Sequence, residues 1–249
     1  MDEQRKVKRA LVTGGGTRVG KFFSLSLAQE GFDVAIHYGT NERGAKAAAH
    51  EITKLGRNAI IVQADFRLPE AAAVVHRAVI EQFDGLEVLV NNASIFPRPD
   101  ALLGARPLAS ETVENWDETL AINARVPFFL MQKFASTLSK NGNGVIVNIL
   151  DTSVSDPFLT RASYSISKAT LAAVTKLGAK ALAPHVRVNG IEFGAMLPNE
   201  GMSKEEQEKL TWGGVESAVN ALLFVIKNDF VSGEIIPVRG GSRFAPAER

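Results

Sequence analysis

Short runs of β-branched and apolar residues alternate with longer stretches of helical periodicity along almost the whole chain. Seven runs read as strands: ALVT, DVAIHY, AIIVQAD, LEVLVNNA, GVIVNIL, VRVNGIEF and GEIIPV. Single helices between such runs indicate parallel strands joined by right-handed crossovers. The alternation therefore predicts an α/β fold, a single-domain doubly wound parallel sheet with helices on both faces.

The stretches between the strands carry the helical periodicity. It predicts helices over residues 18–30, 42–55, 112–138, 162–183 and 215–227, and one more opened by Pro69. Pro127 lies inside the longest of them and lacks an N–H donor, so a kink is expected there. No linker, internal repeat or low-complexity tract divides the 249 residues, which indicates one domain over residues 1–249.

Composition excludes several classes of function. The formal net charge is +1, so the chain has no general attraction to nucleic acid or to an anionic membrane. It shows no signal peptide and no apolar run of the ~18 residues that a span requires, so a cytoplasmic location is expected. The absence of cysteine and the scattered positions of four histidines indicate no metal site. A small-molecule substrate is the expected partner.

The segment TGGGTRVG, residues 13–20, connects the first predicted strand to the first predicted helix. Gly14 and Gly20 flank a turn that would direct the N–H groups and positive dipole end of the helix at a phosphate. Arg18 stands where a three-glycine nucleotide turn has its middle glycine. Its guanidinium can span a pyrophosphate and a flat substrate edged with heteroatoms. The alternative is a first-turn arginine that faces solvent.

Polar residues follow the other predicted strands at the same edge of the sheet. Asp65 ends the third strand, residues 91–94 (NNAS) end the fourth, and Asp151 and Thr152 end the fifth. Ligands of doubly wound sheets bind beyond the carboxyl ends of the strands. The pattern predicts one dinucleotide site there, with the Asp65 carboxylate accepting a hydrogen bond from the adenine amino group.

Tyr164 and Lys168 are four residues apart on a predicted helix and therefore share one face. A free tyrosine has a pKa of ~10, and a cation within ~4–6 Å lowers such a pKa by ~1–3 units. The pair is a candidate for proton transfer. The alternative is two ordinary exposed helix residues.

TGGGTRVG, NNAS, Asn123 and YSISK together resemble the short-chain dehydrogenase/reductase family over essentially the whole chain. The resemblance implies a Rossmann-type fold, a nicotinamide cofactor and proton transfer that involves Asn123, a serine, Tyr164 and Lys168. It also implies that Lys168 holds the cofactor ribose and that Asn123 supports a water relay.

Two departures from the family pattern resemble its pteridine reductase branch. Asp151 stands where the serine is expected, thirteen residues before Tyr164, and Arg18 replaces the middle glycine. The alternative for Asp151 is an aspartate that caps a local turn. Phe96, in NNASIF, falls where that branch stacks a phenylalanine on the pterin ring. An ordinary core position for Phe96 is the alternative. Another departure is Glu192-Phe193-Gly194 in place of the family's Pro-Gly, which is expected to reshape the pocket.

The end of the second predicted strand bears on the choice of cofactor. Enzymes that prefer NAD usually place Asp or Glu there to bind the ribose 2′-hydroxyl. Here residues 37–41 read HYGTN, Arg43 follows closely, and Glu42 is the first carboxylate. A neutral segment rich in donors suits a 2′-phosphate, so the predicted cofactor is NADPH/NADP+.

The predicted function is NADPH-dependent reduction of dihydropterins or dihydrofolate, in which Asp151 and Tyr164 supply the proton for a ring nitrogen. The alternatives are a carbonyl reductase for ketones, sugars or 3-oxoacyl-carrier substrates, in which Asp151 merely replaces serine, and a non-catalytic nucleotide-sensing protein. Retention of Asn123, Tyr164 and Lys168 speaks against the sensor.

The predicted site residues form three groups. The predicted catalytic residues are Asp151, Tyr164, Lys168 and Asn123. The predicted cofactor contacts are Gly14, Thr17, Arg18, Val19, Gly20, His37, Tyr38, Gly39, Thr40, Asn41, Asp65, Phe66, Asn92, Ala93, Ser94, Tyr164, Lys168 and Gly194. The predicted substrate contacts are Arg18, Ser94, Phe96, Asp151, Tyr164, Phe193, Met196 and Leu197, with lid packing as the alternative for Met196, Leu197 and Trp212.

The family resemblance also implies a homotetramer built on the long helices and the C-terminal segment. In that assembly Arg243 would reach the pocket of a neighbouring subunit, unless it is an ordinary surface arginine.

Overall fold

A computed structural model describes residues 7–96, 108–109, 111–139, 144–198, 203–208 and 212–240. Its seven strands are β1 Lys8–Val12, β2 Phe32–Tyr38, β3 Ala59–Gln63, β4 Val88–Asn91, β5 Gly144–Asp151, β6 Val186–Phe193 and β7 Ile235–Val238. They form one sheet in the order β3-β2-β1-β4-β5-β6-β7, and every neighbouring pair is parallel. This confirms the predicted single-domain doubly wound fold. The strand order reverses between β1 and β4, where such a sheet opens a crevice.

Eight α-helices connect or follow these strands in the described part of the chain. They are α1 Arg18–Gln29, α2 Glu42–Lys54, α3 Ala71–Phe83, α4 Val113–Leu120, α5 Val126–Ser139, α6 Ala162–Leu182, α7 Lys204–Glu208 and α8 Gly214–Lys227. The predicted helices agree with these to within about two residues, which is the usual uncertainty of a helix end. Helix α7 was not predicted, because five residues are too few to show a helical period.

The core has two layers, one on each face of the sheet. Ala10 and Val12 of β1 pack in the same cluster as Phe23 of α1, together with side chains of α2 and α8. Leu11, between them in sequence, packs instead with Phe134 of α5 and with side chains of α3. The alternation follows from the two-residue period of a strand, and it confirms helices on both faces.

The long helix predicted over 112–138 is interrupted just before Pro127. Residues Ala121–Arg125 form a π-helical turn between α4 and α5, and the Val126 N–H donates to the Ala121 carbonyl oxygen. The expected kink is therefore a widened turn that absorbs one extra residue ahead of the proline. Asn123 lies in this turn and is buried.

The described ranges contain neither a membrane-spanning helix nor a cluster of metal ligands. None of their helices is both long enough and apolar enough to cross a bilayer. Within the same ranges, histidine, aspartate and glutamate side chains form no group of three or more that could hold a metal ion.

Candidate active site

A cavity of about 1520 Å³ lies at the carboxyl ends of the strands, over the crevice between β1 and β4. All the predicted site residues except Asn123 line this cavity. Asn123 lies behind the cavity wall. The predicted residues on the wall are Gly14, Thr17, Arg18, Val19, Gly20, His37, Tyr38, Gly39, Thr40, Asn41, Asp65, Phe66, Asn92, Ala93, Ser94, Phe96, Asp151, Tyr164, Lys168, Phe193, Gly194, Met196 and Leu197.

The glycine-rich turn is held against the end of β4. The Thr13 hydroxyl oxygen accepts the backbone N–H groups of Asn92 and Ala93, each at 2.9 Å, and the Asn92 side chain donates to the Thr13 carbonyl at 2.8 Å. Gly14 has φ +63°, and a Cβ at Gly20 would lie 2.3 Å from the Gly14 oxygen. Side chains are therefore excluded at both glycines, and the backbone itself forms this part of the wall.

Arg18 adopts φ +49°, in the left-handed region that favours glycine. This explains why a glycine is common at the position, and an arginine there is strained by about 1–3 kcal/mol. Its guanidinium donates to the carbonyl oxygens of Pro198 at 2.7 Å and Leu197 at 3.1 Å, in the loop that follows β6. Arg18 therefore joins the nucleotide turn to the opposite rim of the cavity. Its predicted contacts with cofactor and substrate stay predictions.

His37, near the end of β2, links the glycine-rich turn that follows β1 to the residue that follows β3. Its Nδ1 accepts the Gly14 N–H at 3.3 Å, which leaves Nε2 to donate to the Ala64 carbonyl at 3.0 Å. The ring stacks on Phe66 with centroids 3.9 Å apart. Burial lowers the pKa of His37 to about 4. The imidazole is therefore neutral at physiological pH and holds the turn in position.

Asp65 lies two residues beyond β3 and forms a bidentate ion pair with Arg67. The guanidinium Nε lies 2.9 and 3.0 Å from the two carboxylate oxygens, and Nη2 lies 2.6 Å from one of them. Hydrogen bonds from the Arg67 side chain and backbone lower the pKa of Asp65. The adenine contact predicted for Asp65 stays a prediction. Arg67 also lines the cavity and was missed, since no motif marks it.

Asn123 uses all the hydrogen-bonding capacity of its side chain within the protein. Its Nδ2 donates to the Ile95 carbonyl at 3.1 Å and to the Ser167 hydroxyl at 3.0 Å. Its Oδ1 accepts from the Ile95 N–H at 2.9 Å and the Ser94 hydroxyl at 3.1 Å. The amide therefore fixes the segment after β4 against α6, and the water relay stays a prediction.

Tyr164 and Lys168 lie on one face of α6, but the pKa of the tyrosine is raised, not lowered. Burial, the Asp151 charge and a hydrogen bond to the Asp151 carboxylate raise the pKa of Tyr164 well above its usual value, and Ser94 and Arg161 oppose this. Lys168 Nζ donates to the Ile149 carbonyl at 2.9 Å, and burial lowers the pKa of Lys168 to about 8. The expectation of a lowered tyrosine pKa was wrong, because burial and Asp151 dominate at the phenol.

Aromatic rings and one arginine surround Tyr164. The Phe158 ring is nearly parallel to that of Tyr164 at 6.2 Å, and Phe96 meets Tyr164 edge-on at 4.7 Å. The Arg161 guanidinium carbon lies 4.1 Å from the Phe96 centroid, over its face. Phe158 and Arg161 were missed, although both stand within six residues of Tyr164 in the sequence. Neither residue is part of the YSISK motif itself, so the motif gave no signal for a role.

The segment after β6 forms the opposite rim of the cavity. Phe193 packs on Phe23 of α1 with ring centroids 6.2 Å apart, so this aromatic residue belongs partly to the core. Met196 is buried, and the Trp212 indole N–H donates to the Gln207 carbonyl of α7 at 2.8 Å. Substrate contact and lid packing at Met196, Leu197 and Trp212 both stay predictions. Arg243 lies outside the described residues.

Glu192, at the unusual Glu-Phe-Gly, is buried and forms an ion pair with Arg239. The same guanidinium donates to the Ser155 hydroxyl at 2.9 Å. Ser155 follows the short 3-10 turn that Asp151 caps by accepting the Ser153 N–H at 2.9 Å. The Glu192–Arg239 pair therefore stabilises the turn that Asp151 caps, through the hydrogen bond to Ser155.

Comparison with known proteins agrees with this geometry. A family model described as short chain dehydrogenase matches residues 8–209. The chain is 28% identical to a 3-oxoacyl-acyl-carrier-protein reductase of Staphylococcus aureus, over 95% of this chain and 98% of that one. It is 31% identical to a 2-dehydro-3-deoxy-D-gluconate 5-dehydrogenase of Dickeya dadantii, over 94% of each.

The solved structure of acetoin dehydrogenase from Enterobacter cloacae superposes with a TM-score of 0.87 at 24% identity, covering 98% of this chain and 99% of that one. It shows the same fold. Together with the matched family model and the arrangement of Tyr164 and Lys168 at the crevice, these similarities establish that the chain belongs to the short-chain dehydrogenase/reductase family of oxidoreductases.

Proposed function

We propose that the protein is an NADPH-dependent reductase of carbonyl compounds. The observation that carries the proposal is the Tyr164 hydroxyl, which lines the cavity and whose raised pKa keeps it protonated at neutral pH. A protonated phenol is the state that can donate a proton to the oxygen of a ketone. Two curated relatives support this choice, because their names describe a 3-oxoacyl substrate and a dehydro sugar acid.

The cavity wall fits a nicotinamide dinucleotide. Gly14, Gly16 and Gly20 contribute no side chain, so the backbone and the first N–H groups of α1 would hold the diphosphate. When bound, the cofactor would supply the hydride. Tyr164 would deliver the proton, and Lys168, held at the Ile149 carbonyl, would bind the ribose hydroxyls.

NADPH is proposed because none of residues 37–44, all of which the structure describes, presents a carboxylate to the cavity. His37 is neutral, and Asn41 accepts the Gly44 N–H at 2.8 Å as the N-cap of α2. Glu42 does not line the cavity and pairs with Lys46 at 2.8 Å on the surface. A 2′-phosphate would meet no like charge here.

Reduction of a pterin C=N bond is the second candidate, and one observation favours it. Asp151 replaces the expected serine and is hydrogen-bonded to Tyr164, so this pair could pass a proton to a ring nitrogen. Two observations weigh against it. Arg161 already lies over a face of Phe96, and Arg18 donates to the carbonyls of Leu197 and Pro198.

The test is NADPH oxidation, followed by absorbance, with dihydrobiopterin, dihydrofolate and a panel of ketones, oxo acids and 3-oxoacyl thioesters. Carbonyl reduction predicts turnover of at least one carbonyl compound and its loss in Tyr164→Phe. Turnover confined to pterins would favour the second candidate. NADPH binding without turnover of any substrate would favour a nucleotide sensor instead.

A further inference from the structure

The Arg161 guanidinium lies at the substrate end of the cavity, although no motif points to it. Arg161 is the residue before α6, lines the cavity, and is partly buried. Its carbon Cζ is 4.1 Å from the centroid of Phe96, and that ring is 4.7 Å from the ring of Tyr164. The Phe96 ring therefore contacts both this cation and the ring of the phenol that would donate the proton.

The described residues that line the cavity include four cations, Arg18, Arg67, Arg161 and Lys168, and four carboxylates, Asp65, Glu70, Glu118 and Asp151. Arg67 pairs with Asp65 at 2.6 Å and lies 4.0 Å from Glu118. Asp151 is the lining carboxylate whose charge acts on Arg161.

The Asp151 carboxylate interacts electrostatically with Arg161 and has other partners as well. Its Oδ1 accepts the Ser153 N–H at 2.9 Å, and the carboxylate accepts a hydrogen bond from the Tyr164 hydroxyl. Two contacts hold the Arg161 side chain. One Nη donates to the Thr160 hydroxyl at 3.2 Å, and the guanidinium group lies over the face of the Phe96 ring. The planar fork of an arginine matches a carboxylate, and a stacked arginine loses less freedom when it binds one.

We propose that the physiological substrate is an oxo acid, whose carboxylate binds Arg161 while its carbonyl oxygen meets the Tyr164 hydroxyl. The inference rests on the carbonyl reduction proposed above and narrows its substrate class. The Phe96 ring contacts both Arg161 and the ring of Tyr164, so the carboxylate and the oxo group are separated by only a few carbon atoms. Phe96 and Phe158 pack against those carbons.

The test measures kcat/KM for oxo acids and for the methyl esters of the same acids. The acids have four to six carbons and carry the oxo group at position 2, 3 or 4. The wild-type enzyme is expected to show a higher kcat/KM for at least one acid than for its ester, by about tenfold or more. Arg161→Met should lower kcat/KM for that acid by about 10- to 100-fold, mainly through KM, since hydrogen bonds to charged groups contribute ~1.5–3 kcal/mol. The same substitution should change kcat/KM for the ester less than about threefold, because the ester has no carboxylate that could bind Arg161.

Arg77→Met is the matched control, because Arg77 is exposed on α3 and does not line the cavity. It should leave both substrates unchanged. Arg161→Lys keeps the charge and loses the fork, so its kcat/KM for the acid should lie between those of the wild type and Arg161→Met. Equal losses for acid and ester, or a wild-type preference for esters, would overturn the inference.

Failure of the proposed carbonyl reduction would look different. In that case no carbonyl compound is turned over, and calorimetric titration of the enzyme–NADP+ complex with the same acids becomes the readout. Binding of an acid that Arg161→Met weakens by tenfold or more would still support the anion site. No binding of any acid by the wild type would overturn it.

Discussion

The Asp151 carboxylate accepts a hydrogen bond from the Tyr164 hydroxyl, and its charge adds to burial in raising the pKa of that phenol. In the direction of alcohol oxidation Tyr164 must act as a base, which requires the phenolate. The position of Asp151 therefore favours the proton-donating direction, and it can be tested through the dependence of the rate on pH.

Replacement of Asp151 by serine should lower the pKa of Tyr164, because a negative charge next to the phenolate disappears. We expect the pH at which alcohol oxidation reaches half of its plateau rate to fall by about one unit or more. Ketone reduction at neutral pH should be preserved or increased, and pterin reduction, if present, should fall by ~10²–10⁴-fold. Unchanged pH profiles of kcat and of pterin turnover would show that the carboxylate has no chemical role.

The φ of +49° at Arg18 predicts an unusual order of stability for substitutions there. Arg18→Gly and Arg18→Ala both remove the bonds to Leu197 and Pro198, but only alanine keeps the left-handed strain. Arg18→Gly should therefore be more stable than Arg18→Ala by about 1–2 kcal/mol, as measured by urea denaturation. In an ordinary helical conformation alanine would be the more stable of the two, so the opposite order contradicts the strained geometry.

The neutral state of His37 predicts a pH-dependent contribution to stability. The folded pKa of about 4 lies below the unfolded value of 6.5, so the unfolded chain binds more protons between these two values. The contribution is present above about pH 6.5 and is lost as the pH falls towards 4, by about 3 kcal/mol in the free energy of unfolding. In His37→Gln this part of the pH dependence should vanish. Parallel curves for the two proteins would refute the assignment.

Cofactor preference can be tested at Gly39, where a Cβ would meet no atom within 4 Å. The wild type should prefer NADPH over NADH by about tenfold or more in kcat/KM, since charge-assisted bonds to the 2′-phosphate contribute ~1.5–3 kcal/mol. Gly39→Asp should reverse this preference by placing a carboxylate near the 2′ position, and Gly39→Ala is the control. Equal efficiency of the wild type with both cofactors would argue against NADPH.

Exposed apolar side chains on α4 and α6 predict an interface between copies of the chain. Val113 and Trp116 of α4 and Ile166 of α6 are exposed apolar side chains on helices that pack together, and an interface would cover them. Light scattering is expected to give a homotetramer, and Trp116→Glu is expected to give a smaller species. A monomeric wild type at assay concentrations would remove the proposal.

The sequence by itself determined the layers of the fold and the edge of the sheet at which the site lies. Apolar residues such as Ala10, Leu11 and Val12 alternate between two faces because a strand has a period of two, and this pattern is local. The turn at Gly14 and the pair Tyr164 and Lys168 were likewise visible, since each depends on spacing within one turn or one helix.

Only the tertiary structure decided what those side chains contact. Arg161 lies over Phe96, 65 residues away in sequence, and Arg18 reaches Pro198 across 180 residues. The pKa of Tyr164 rises because the fold buries it beside Asp151, and this outweighs the opposing effects of Ser94 and Arg161. Burial and the meeting of distant segments depend on how the whole chain packs, so no local pattern reports them.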